Sequence, residues 1–182
     1  MFLQDPKMSK MAIAADANFL LVEVAKEQGR QEQDEVMRGK YFGAAVGALK
    51  KVRTYWAKRP QWEQDQLDLL SGDVLVDRMK AEEAMNLKEA AAETCGRAAA
   101  TFQVFIQAHG PSDTLPFDQM DEGSKANLER AYATLVPLLA KQGAEQADQV
   151  IKFGEQYMQM FPNGKNATAV GNAVNSARAD LN

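Results

Sequence analysis

Apolar residues recur at three- and four-residue steps along most of the chain, the spacing that predicts amphipathic helices. Ser9 is a suitable N-cap and Gly29 a suitable stop. Between them Ile13, Ala17, Leu20, Leu21, Val24 and Ala25 form one stripe, while Asp16, Glu23 and Glu27 gather elsewhere. A second helix is expected from about 33 to 58, ending before Pro60, because a residue preceding proline leaves the helical region. A short third helix spans Trp62 to Leu70, with Ser71-Gly72 as its breaker.

From Asp73 to Ala108 nothing demands an interruption, and the pattern slightly favours one long helix through Leu87, Ala91, Ala98, Phe102 and Phe105. Against this, Asn86 with Glu89 three residues later resembles a capping box, which would start a new helix there. His109-Gly110-Pro111 stops the segment, and 110–123 is the longest loop. Ser124 is read as the cap of a helix carrying Leu128, Ala131, Tyr132, Leu135 and Leu139. Pro137 inside it predicts a kink or restart. Gly143 closes that helix. A further stripe runs from Ala147 to Phe161, and a weaker one passes through Val170, Ala173, Val174, Ala177 and Leu181. Period-2 alternation is absent, so the expected fold is all-α: a compact bundle of six or seven helices with no sheet. Residues 1–182 are expected to form a single helical domain, with sub-lobes 1–109 and 124–182 as the alternative division about loop 110–123.

Composition changes this picture little. A chain of 182 residues with 46% apolar side chains can bury a core without metals or disulfides. Alanine runs at 90–92 and 98–100 add helix propensity. The net charge of −4 argues against whole-protein attraction to nucleic acid or anionic membrane. The residues 1–21 carry charges that interrupt any signal-peptide core. The longest apolar stretches, Phe19–Val22 and Tyr41–Leu49, fall far short of the ~20 residues a transmembrane helix needs. A cytoplasmic protein, or part of an assembled particle, is the expectation.

The chemical inventory is thin. One cysteine, Cys95, and one histidine, His109, provide neither a zinc ligand set nor a histidine-based di-iron motif. On one straight helix these two residues lie about 21 Å apart, too far for a thiol–imidazole pair. Phosphate-binding glycine loops and serine elbows are absent from the sequence. We therefore expect no catalytic residue, no metal and no cofactor. The carboxylates Glu32/Glu35, Glu145/Asp148 and Asp118, Asp121, Glu122 keep a carboxylate-dependent hydrolase as an alternative.

The unusual segment is the second helix. On a 100° wheel, Tyr41, Phe42, Ala45, Leu49, Val52 and Trp56 make a core face. The opposite face carries a ridge of Gly39, Gly43 and Gly47 beside Lys40, Lys50, Lys51 and Lys58. Three helix-interior glycines cost about 2–3 kcal/mol relative to alanine, so a close-packed neighbour should offset them. The stretch 38–59 holds seven Lys and Arg and no acid, whereas 63–93 holds nine acids. The first expectation is that these acidic helices cross the glycine face within the molecule. The second is that another protein or a second copy of the chain occupies it. The third is contact with a membrane surface or nucleic acid through the basic helix 38–59. The functional reading is a non-enzymatic interaction or structural protein, either part of a virion- or secretion-type assembly or an inhibitor- or immunity-type binder.

Overall fold

A computed structural model of the chain describes residues 6–57 and 61–181, with side chains from residue 14 onward. Among the described residues there are seven α-helices and no strand. Helix α1 spans Pro6–Gln31, α2 Glu35–Trp56, α3 Gln61–Ala84, α4 Lys88–His109, α5 Glu122–Gln142, α6 Ala147–Met160 and α7 Ala167–Asp180. The chain divides into two compact units, Met1–Ala91 and Ala92–Asn182. The division falls near the start of α4. Segment 110–123 belongs to the second unit, because its side chains pack there: Met120 is buried and Phe117 meets Phe161 edge-on at 5.1 Å.

In the first unit, α1 and α2 form an antiparallel hairpin. The Glu32 carboxylate accepts the backbone N–H groups of Gln33 and Asp34, and Asp34 caps α2 by accepting from the Met37 N–H at 2.8 Å. Gly29 admits the Phe42 ring so closely that a Cβ there would lie 2.8 Å from it. At the other end Phe19 stacks on Trp56. Helix α3 closes the unit, adding Leu67 and Val74 to a core of Val22, Phe42, Ala45, Leu49 and Val52.

Two expectations fail here. Helix α3 runs unbroken through Ser71-Gly72, and Gly72 is buried within it. Leu67 and Val74, on either side, enter the same core, and their burial outweighs the roughly 1 kcal/mol cost of a helical glycine. The long helix across 73–108 does not form either. Asn86 takes a left-handed conformation (φ 62), its N–H bonds to the Glu83 carbonyl, and the Leu87 N–H bonds to Glu82. This is a Schellman stop. Asn86 thus ends α3, and a new helix starts at Lys88 as the alternative reading expected, with Asn86 acting as the stop of α3 rather than as the cap of α4.

In the second unit α5, α6 and α7 pack on one another. Asp121, not Ser124, caps α5: its carboxylate accepts both the Ser124 N–H (2.9 Å) and the Ser124 hydroxyl (2.8 Å). Those bonds, the backbone one first, hold the Asp121 carboxyl below its ordinary pKa. Pro137 sits inside α5 without a restart. Its ring faces solvent while Leu135, Val136, Leu138 and Leu139 are buried around it, so packing holds the helix across the lost donor.

Candidate interaction face

Helix α2 places its apolar and glycine faces as the wheel requires. Phe42, Ala45, Leu49 and Val52 are buried and Trp56 is half-buried, while Lys40, Gly43, Ala44, Gly47, Lys50 and Lys51 are exposed. Gly39 is half-buried, and Lys58 lies outside the described residues. Among the described residues, a Cβ added at Gly39, Gly43 or Gly47 would meet nothing within 4 Å. The acidic helix therefore does not cover this ridge, contrary to the first expectation.

The acids of α3 go elsewhere. Asp77 pairs with Arg30 of α1 at 2.7 Å and lies 3.8 Å from Lys26, and Asp68 pairs with Arg53 at the edge of α2. That bond to Asp77 is the main reason the Arg30 guanidinium titrates above its ordinary value. Arg38, counted in the basic stretch 38–59, is buried on the core side, its guanidinium against the Met85 sulfur. Side chains on α1 and on the core side of α2 lie nearer α3 than the ridge does. The ridge keeps Lys40, Lys50 and Lys51 in solvent, with Val36 and Met37 at one end and Tyr55 at the other.

An uncovered glycine ridge makes a stability prediction. The triple substitution Gly39→Ala, Gly43→Ala and Gly47→Ala should raise the stability of the purified chain by about 2–3 kcal/mol in urea unfolding, since each alanine adds helix propensity and meets no clash. A loss of stability would mean that the face is packed after all.

Helix α1 holds a surface that its periodicity assigned to the core. Of the stripe read from the sequence, Ala25 is buried, together with Ala15, Val22 and Gly29, whereas Ala17 is exposed, as are Leu20 (65%), Leu21 (46%) and Val24 (44%), and the Ile13 side chain lies outside the described residues. The helix carries two apolar stripes. Weighting by side-chain size selected the leucine stripe, but close helix approach selected the alanine–glycine stripe. The signal that could have found this was Gly29 in register with Val22 and Ala25 on one face.

Cys95 and His109 lie 14 residues apart on α4. Cys95 is buried and donates to the Leu138 carbonyl at 3.4 Å, joining α4 to α5. The His109 ring lies 4.6 Å from Phe105 at the end of α4. Glu145, Asp148, Asp118 and Glu122 are exposed, Asp121 is engaged as a cap, and Glu32 is engaged at the α1–α2 turn. The second unit also has an open groove of about 530 Å³ beside Gln107, Phe117, Tyr132, Gln156 and Met160. Tyr132 donates to the Gln156 side-chain oxygen at 3.2 Å, and burial pushes its phenol pKa up to about 12. The walls of the groove are neutral amides and apolar groups, which offer recognition of a neutral molecule but no acid–base pair.

The fold and the face together define an all-α chain of two helical units with an open, lysine-flanked glycine helix. None of its described helices is long and apolar enough to cross a membrane. Comparison of the chain with protein-family models, curated proteins and solved structures finds no match.

Proposed function

We propose that this chain is a non-enzymatic interaction protein, and that the outer face of α2 receives an acidic helix of a partner. The observation that carries this reading is the ridge Gly39, Gly43, Gly47: Gly43 and Gly47 are exposed, and a Cβ added at any of the three would meet no described residue within 4 Å. Glycines spaced four apart let another helix approach closely, and association would offset the cost they impose on the isolated chain. Lys40, Lys50 and Lys51 flank the ridge and the stretch 38–59 carries no acid, so an anionic helix is favoured and a like-charged one is repelled. Such a module suits a component of a larger assembly or an inhibitor that covers its target.

Lysine reactivity tests this whatever the identity of the partner. Brief acylation of intact producing cells should label Lys40, Lys50 and Lys51 about tenfold more slowly than acylation of the dilute purified chain, because a docked helix desolvates their surroundings. Exposed Lys80, on α3, serves as the internal reference. In cells carrying Gly43→Leu/Gly47→Leu the protection should vanish. Equal labelling in cells and in dilute solution would reject the reading.

A further inference from the structure

We infer that the acidic helix received by α2 is the outer face of α1 from a second copy of this chain. The contact is head-to-tail and therefore propagates from copy to copy. This rests on the proposed role of α2 and names its partner.

Among the described residues, the outer faces of α1 and α2 in the first unit are exposed, and they are opposite in character. The outer face of α1 presents Leu20 and Val24, with Asp16, Glu23 and Glu27 along its flank, and all five are exposed. The outer face of α2 presents Gly43 and Gly47, flanked by Lys40, Lys50 and Lys51. One face supplies apolar knobs with acids, and the other supplies vacant positions with bases.

The spacing matches as well. Asp16, Leu20, Val24 and Glu27 follow one another at steps of four, four and three, and Lys51, Gly47, Gly43 and Lys40 do the same when α2 is read backwards. Each set lies within an arc of about 80° on its own helix. An antiparallel pairing therefore sets Asp16 opposite Lys51, Leu20 opposite Gly47, Val24 opposite Gly43 and Glu27 opposite Lys40. Both side chains that protrude meet a position with no side chain, and both acids meet a lysine.

Symmetric alternatives are disfavoured by charge. An α2–α2 pair would oppose lysines to lysines, and an α1–α1 pair would oppose acids to acids. Because the docking faces lie on different helices, a bound pair still offers one unused α1 face and one unused α2 face. Such heterologous contacts close into a ring or extend as a filament.

The test uses two full-length variants, each with one face blocked at exposed positions. Gly43→Leu/Gly47→Leu fills the α2 groove and leaves α1 intact, and Leu20→Glu/Val24→Glu spoils the α1 face and leaves α2 intact. In sedimentation velocity the unmodified chain should form species larger than dimers as concentration rises. Each variant alone should remain monomeric, and an equimolar mixture should give a dimer and nothing larger. Circular dichroism verifies that both variants are folded. Charge reversal provides a second route should either one unfold. Lys40→Glu/Lys51→Glu alone, or Asp16→Lys/Glu27→Lys alone, should weaken self-association about tenfold, and combining all four in one chain should restore it. A strictly monomeric unmodified chain, a variant that dimerises by itself, a mixture that fails to pair, or four reversals that restore nothing would each overturn the inference. If lysine protection in cells persists while the chain stays monomeric, the partner is a different protein: the reading of α2 stands and this inference fails.

Discussion

Gly154→Val should destabilise the second unit by about 2–4 kcal/mol, and Gly154→Ala by about 1–3 kcal/mol, measured by urea unfolding followed by circular dichroism. A Cβ at position 154 would fall on the Val174 side chain and 3.4 Å from Val170 Cγ1. Val170 and Val174 have 0% and 1% exposure, so neither can swing into open space. The neighbouring helix α7 must move outward, and every apolar group it buries against α6 then loses contact. The cause is local overpacking, which makes the prediction checkable by compensation. Val174→Ala in the Gly154→Ala background should recover much of the loss, although Val174→Ala alone is destabilising. Strict additivity of the two substitutions would contradict the close approach. At Gly43, where an added Cβ meets nothing, the same change to alanine is expected to stabilise.

The second large effect is at Tyr157. Tyr157→Ala should cost about 3–5 kcal/mol by removing a fully buried ring, and Tyr157→Phe about 1–2 kcal/mol. The ring packs against Phe161 at 5.4 Å. Its hydroxyl donates to Glu129 on α5 at 3.1 Å and accepts the Asn166 N–H at 3.3 Å, at the start of α7. One oxygen thus ties three helices together, and Gly164 leaves the space that the oxygen occupies. Burial raises the phenol pKa of Tyr157, and it pushes that of Tyr132 to about 12. An unfolded tyrosine ionises near about 10. The folded state therefore keeps protons that the unfolded state releases. The associated stability is complete below pH of about 10 and is lost as pH rises through the folded values. Tyr157→Phe should consequently be less sensitive to alkali than the unmodified chain. Urea midpoints compared at pH 8 and pH 10.5 test this, and equal alkaline losses in both proteins would refute the assignment.

How far the sequence could be read depends on which force acts at each position. On α2 a bulky apolar face opposes a face of glycine and lysine, so side-chain size and polarity agree and the wheel places both faces correctly. On α1 they conflict. Leu20, Leu21 and Val24 are the larger side chains, but Ala15, Val22, Ala25 and Gly29 allow closer approach to α2, and the closer face is the buried one. Ser71-Gly72 and Pro137 look like breaks in the sequence because their local cost is visible. The burial of Leu67, Val74, Leu135 and Leu138 that overrides it becomes visible only after folding. Ser124 and Asp121 are both good caps, three residues apart, and the geometry of the first turn selected the aspartate.

The linear order of side chains determined what local chemistry alone can decide. It set the helical periodicity, the stop at His109-Gly110-Pro111, the closure at Gly143, and the two-faced character of α2. These depend on backbone propensity and on spacing within a few residues, and both are fully encoded in one stretch of chain. Tertiary structure decided which of two apolar stripes on α1 is buried, where the acids of α3 find their cations, and that the Gly39–Gly47 ridge is left uncovered. Each of those outcomes compares the contact energies of segments distant in sequence. Helix α1 packs through Ala15, Val22, Ala25 and Gly29 and leaves Leu20, Leu21 and Val24 in solvent, and for that physical reason the candidate surface became apparent only in the folded chain.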